Sequence, residues 1–147
     1  MANELKYTYA SQVTLEASGA SAASSAMVAA DDSGLTSANH SNYPLADFAL
    51  KCDFGAAVGA NYAVYLYRQD LDIDATNDAP APAASTYEQV LVGIFVIPSG
   101  QSASAYYPCT NVPLTQNCQF SVKNGTNQSM SAGWTLKCTP KSYVPGS

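Results

Sequence analysis

The chain has 147 residues, enough for one domain, and its 47% hydrophobic content against 12% charged residues excludes disorder driven by charge excess. A formal net charge of −5 with only six basic residues excludes the clustered Lys and Arg that binding to a nucleic-acid backbone requires. No apolar run approaches the roughly twenty residues of a membrane-spanning helix, so neither nucleic acid nor membrane is an expected partner.

The amino terminus, MANELKYTYASQ, has no basic stretch followed by an apolar one, so a secretory leader is not expected. It is polar apart from Tyr7 and Tyr9, and residues 1–12 read as an extended arm that orders on a neighbouring subunit. Val13, Leu15 and Ala17 alternate with Thr14 and Glu16, the period of a half-buried strand. Residues 17–25 (ASGASAASS) are low-complexity, with serines that compete for backbone hydrogen bonds, and read as a loop feeding a weak strand near residues 26–30. Asp31-Asp32-Ser-Gly reads as an exposed turn, and the lone His40 falls in a polar loop.

The clearest alternation is in residues 46–54 (ADFALKCDF), where Ala46, Phe48, Leu50, Cys52 and Phe54 share one face and Asp47, Lys51 and Asp53 the other. Gly55, Gly59 and Asn61 then punctuate the chain, and Tyr62, Val64 and Leu66 alternate with Ala63, Tyr65 and Tyr67. Residues 70–85 (DLDIDATNDAPAPAAS) raise the question of a metal loop. An EF-hand register from Asp70 finds Asp72 and Asp74 in place but Ala75 where glycine belongs and Ala81 where glutamate belongs. Asp70, Asp72 and Asp74 are thus candidates only for an irregular calcium site, and the favoured reading is a long solvated connection held extended by Pro80 and Pro82.

Residues 90–97 (VLVGIFVI) have no polar face, as expected of a central strand covered on both sides. A weak strand near residues 103–107 follows the Pro98-Ser-Gly turn. Cys118, Phe120 and Val122 alternate with polar residues, Asn124-Gly125 marks a reversal, and Trp134, Leu136 and Cys138 form the last alternating set. Cys109 and Cys118 flank a short segment that a disulfide could close; the competing and favoured reading makes Cys52, Cys118 and Cys138 small buried hydrophobes in a reducing cytosol. About eight short antiparallel strands with turn signals between them imply an all-β, single-domain sandwich of jelly-roll type.

Chemistry is sparse. One histidine and no CxxC pair leave no zinc pattern, no Ser–His dyad and no expected cofactor. The paired carboxylates sit in polar loops, unlike the acids of a glycosidase, and no enzymatic activity is expected. Tyr7, Tyr9, Tyr65, Tyr67, Tyr106 and Tyr107 suit either a sugar-stacking platform or protein interfaces, and the interface reading is favoured.

From about Pro44 to Val144, the stretches ADFALKCDFGAAVGANYAVYLYRQDLDIDATNDAPAP, VLVGIFVIPSG and SAGWTLKCTPKSYV together resemble small structural proteins of tailed bacteriophages. The resemblance implies a jelly-roll virion protein of the head decoration, or cement, type. Such a protein would be made in the host cytoplasm, bind the major capsid protein on the outside of the head, and assemble as a dimer or trimer. It brings no catalytic residues, and it accounts for neither the four cysteines nor the alanine–serine segment. The alternatives are a tail or baseplate component and a carbohydrate-binding β-sandwich.

Overall fold

In the computed structural model, residues 6–36, 40, 42–74, 76–82 and 90–144 are described. Among them are nine strands: β1 (Lys6–Tyr9), β2 (Val13–Gly19), β3 (Met27–Leu35), β4 (Leu45–Cys52), β5 (Tyr62–Asp70), β6 (Leu91–Ile97), β7 (Ala105–Pro113), β8 (Cys118–Asn124) and β9 (Trp134–Val144).

The alternating segments become strands with one face in the core. In β4, Ala46, Phe48, Leu50 and Cys52 are buried and the residues between them half-buried. β9 buries Trp134, Leu136 and Cys138 in the same way, and β8 buries Cys118, Phe120 and Val122. Each bare apolar face must be covered, and two sheets stacked face to face do this. One sheet runs β9–β4–β7, with β1 and β2 sharing the free edge of β9; the other runs β3–β8–β5–β6, and every pairing is antiparallel.

Strand partners follow one rule: β2 with β9, β3 with β8, β4 with β7, β5 with β6. That is a long hairpin ribbon rolled up on itself, the topology of a jelly roll. Phe48 and Phe120 meet across the two sheets with ring centroids 4.8 Å apart and planes inclined at 61°. Trp134 closes one end, its indole lying on Gly19, where a Cβ would come within 1.9 Å of the ring, and its Nε1–H donating to the Ala20 carbonyl at 2.7 Å. Burying each of these large side chains contributes roughly 1.5–3 kcal/mol.

Several expectations need correction. The apolar run at residues 90–97 is not central: β6 is an edge strand, with Leu91, Ile94 and Val96 exposed, Val96 at 71%. Its inner face packs in the core through Phe95 and Ile97, and its outer face stays apolar but uncovered. Residues 6–9 are not a free arm but a strand in register with Lys141–Val144; residues 1–5 lie outside the described residues. Four exposed residues carry no hydrophobic signature, yet the far half of β9 supplies unpaired backbone groups for them to bond. Asp31, Asp32, Ser33 and Gly34 are not a turn but part of β3, where the ladder to β8 skips between Ala30 and Leu35.

Cys109 and Cys118 are both free thiols. The fold explains it: Cys109 lies inside β7, four residues before its end at Pro113, while Cys118 opens β8, so the two do not close a simple loop. Cys109 then belongs to the sheet opposite that of Cys118.

Candidate interaction surface

The outward residues of the five-stranded sheet assemble what the sequence scatters. Tyr7 and Tyr9 of β1 stand opposite Tyr143 and Lys141 of β9, all on the face turned away from the core. Tyr7 and Tyr143 lie 4.7 Å apart between centroids, and the Tyr7 hydroxyl donates to that of Tyr143 at 3.1 Å. The Lys141 ammonium sits 4.7 Å from the Tyr7 ring centroid and pairs with Asp47 at 2.5 Å. Ring and carboxylate together allow the lysine to be buried on an outer face, since both offset lost hydration. The hydrogen bond that Tyr7 donates to Tyr143, above all, raises the Tyr7 phenol above its ordinary pKa.

At the other end of the same face, Lys51 stands 5.6 Å from the ring centroid of Tyr106, which is 64% exposed. Lys137 lies between, next to Ala49 in the ladder. Three of the six basic residues thus stand on the outward positions of β4 and β9, where Asp47 is the one aspartate within the two strands, in a chain of net charge −5. Exposed aromatic area of this kind is enriched at protein-contact surfaces, whereas lysine is depleted there, so the tyrosines and not the lysines give the face that character.

No protein-family model, curated protein or solved structure matches the chain. The surface must therefore be read from its own chemistry.

The six tyrosines expected at interfaces divide. Tyr7, Tyr9 and Tyr106 are exposed as expected, and Tyr65 is half-buried, beside Ile94 of the apolar edge. Tyr67 and Tyr107 are each only 5% exposed and cannot offer a surface. Tyr107 falls on the inward parity of β7 and joins the core beside Cys52, where burial pushes its phenol up to about 12. Tyr67 lies on the central strand β5, onto which the following loop folds back through Gln69 Nε2 donating to Ala79 O at 2.8 Å. Tyr143 is the exposed tyrosine of this face that the sequence reading missed; its alternation with Lys141 was the available signal.

The three loop aspartates do not converge. Asp70 accepts from Arg68 Nε and Thr115 Oγ1, both at 2.7 Å. Asp72 accepts from the Asn117 side chain at 3.1 Å, and Asp74 caps its own turn by accepting from Thr76 and Asn77. Hydrogen bonds from Asn77, and then from the Thr76 N–H, lower the Asp74 carboxyl to about 2. Among the described residues, the carboxylates that do converge are Glu16, Asp31 and Asp32, each offering an oxygen within 4.8 Å of the others. Hard oxygen donors of this kind could contribute to a calcium site. Two of them already serve the fold: Glu16 accepts from the N–H groups of Ser18 (2.9 Å) and Asp31 (3.3 Å), and Asp32 from that of Ala17 (2.6 Å).

Proposed function

We propose that the chain is a virion structural protein that docks on the outside of a bacteriophage head and stabilises the shell, with the major capsid protein as its partner. The observation that carries this reading is the outer face of the five-stranded sheet, where exposed tyrosines and fixed lysines are presented on a rigid ladder. Such anchors give large contact area at low entropic cost, and a shell multiplies a modest interface by many copies. The apolar outer edge at Ile94 and Val96 supplies a second contact, for the homo-oligomer that the reading includes. The head as the location comes from the resemblance of residues 44–144 to phage proteins; the face itself argues only for contact with protein.

The test is a density map of purified particles, with heads lacking the chain re-decorated by purified protein. Wild type should add density to the outer head. The Tyr7→Ser/Tyr106→Ser double variant should lose at least about tenfold in occupancy, as expected when aromatic anchors are removed. Density in the tail or baseplate, or no particle-bound protein, would overturn the reading.

A further inference from the structure

We infer that two copies of the chain pair through their β6 strands, antiparallel and about a two-fold axis, joining their four-stranded sheets into one of eight strands. This fixes the contact of the homo-oligomer in the reading above, but it rests on the β6 edge alone and not on attachment to a phage head.

A strand paired on one side presents a row of backbone groups to any other strand, and folded proteins blunt such edges with charge, proline, irregularity or brevity. Among the described strands, β1, β2, β3, β6 and β7 each pair on one side only. β1 is four residues long and begins at Lys6. β2 and β3 close on each other, with Glu16 accepting from the Asp31 N–H and Asp32 from the Ala17 N–H. β7 contains Pro108 and Pro113, which lack the N–H that pairing needs. β6 (LVGIFVI) has neither charge nor proline, and its ladder to β5 is regular from Gly93 to Ile97. Its outward side chains are apolar as well, Ile94 being 47% exposed and Val96 more so. Of these five edges it alone is unguarded.

The direction of its backbone groups can be read from Ile94, whose N–H turns to the Cys109 thiol in the opposite sheet rather than to β5. Val96, two residues on, shares that orientation. A thiol is a weak acceptor, and a strand carbonyl displaces it. Setting Ile94 of each copy opposite Val96 of the other, centred on Phe95, makes both of these hydrogen-bonded pairs and forms four backbone bonds.

A second copy is the occupant that this edge selects. Under a two-fold axis Ile94 meets Val96 and Val96 meets Ile94, apolar on apolar. Two chains of net charge −5 repel one another, and β6 lets them meet with no charged side chain in the contact strand. The same lack of charge leaves nothing by which the strand of a different protein would be steered to it. Pairing consumes both bare edges, so growth stops at two copies. The regular ladder of five residues spans roughly 17 Å, a contact below the ~1,200 Å² of ordinary stable interfaces, and the dimer dissociates at micromolar concentrations.

Sedimentation equilibrium of the reduced chain from about 5 to 500 μM should show the mass rising from 15.3 kDa toward twice that value and no further. Val96→Lys, a change at an exposed side chain, should keep the wild-type fluorescence of Trp134 and weaken the dimer at least about tenfold. Ile94→Lys serves as a second variant with the same expectation should Val96→Lys not fold. Deuterium exchange of the Val96 amide should slow at least about fivefold in the concentrated protein, which separates strand pairing from contact through side chains. A monomer at every concentration, growth beyond two copies, a dimer undiminished in a folded lysine variant, or Val96 exchange indifferent to concentration would overturn the inference. Head decoration is read separately, through Tyr7 and Tyr106, so either result can fail without the other.

Discussion

Asn124 ends β8 fully buried, and its replacement by alanine tests how much of the stability rests on one amide. Its Nδ2 donates to Ala22 O at 2.9 Å and to Gln128 O at 2.7 Å, while its Oδ1 accepts from Thr126 N–H at 3.1 Å and stands 2.7 Å from Thr126 Oγ1. After Asn124→Ala the two carbonyls keep one partner each, from Met130 N–H and Thr126 Oγ1, but the Thr126 N–H is left unpaired in a buried site. Two bonds to carbonyls lost at about 1 kcal/mol each, plus the orphaned Thr126 N–H at about 1–3 kcal/mol, predict a loss of roughly 3–5 kcal/mol. With a urea slope of about 2 kcal/mol per molar, the unfolding midpoint should fall by roughly 1.5–2.5 M. The single tryptophan, Trp134, is buried, so its fluorescence reports unfolding without a label. The exposed Gln119→Ala on the same strand should shift by less than about 0.5 kcal/mol. A midpoint for Asn124→Ala within about 0.5 M of wild type would refute the view that this amide network closes the β8–β9 turn.

Three further outcomes follow from the same structure. A Cβ at Gly93 would meet Cys109 Sγ at 2.6 Å, so Gly93→Ala should cost about 1–2 kcal/mol in urea unfolding, and Cys109→Ala should recover about half of that. Equal cost in both backgrounds would show that the thiol is not the obstacle. Burial holds the thiols of Cys52 and Cys138 near 12 and raises those of Cys109 and Cys118. Peptide mapping after native iodoacetamide treatment at neutral pH should find the half-buried Cys109 alkylated first and Cys52 and Cys138 untouched; early labelling of either buried thiol contradicts the packing. The Asp74 carboxyl lies below its ordinary value of 3.8, so its contribution to the turn is complete above pH 4 and lost as pH falls through about 2. Carboxyl ¹³C NMR should place its midpoint there and Asn77→Ala should raise it; an ordinary midpoint would mean the cap does not form in solution.

Much of the sandwich could be read in residue order because most strands have one wet face. Residues 46–54, 118–122 and 134–138 alternate, and alternation fixes both the strand and its buried side. Where that contrast fails, so does the reading. Residues 90–97 are apolar on both faces, which describes side chains but not neighbours, and a strand covered by protein looks the same as an edge left bare for a partner. Lys6–Tyr9 is exposed throughout, and what places it, the backbone ladder to β9 and the contacts of Tyr7 with Tyr143 and Lys141, comes from residues more than 130 positions away. Asp31 and Asp32 look like a turn because the carboxylate of Glu16, fifteen residues earlier, is not visible in local pattern. Tyr67 and Tyr107 were legible as tyrosines of strands, but only register and loop path decide which ring faces out.

The rolled ribbon also governs when the molecule can come into being. Its outermost pairs join β1 and β2 to β9, so nearly the whole chain lies between the first and last partners. On a ribosome, β5 and β6 can meet early, but β4, β3 and β2 must each wait for a later strand, and the sheet containing β2 stays open until β9 has emerged. Until then the apolar faces of the early strands have no lid, and the nascent protein depends on prompt completion or on a chaperone to stay out of aggregates.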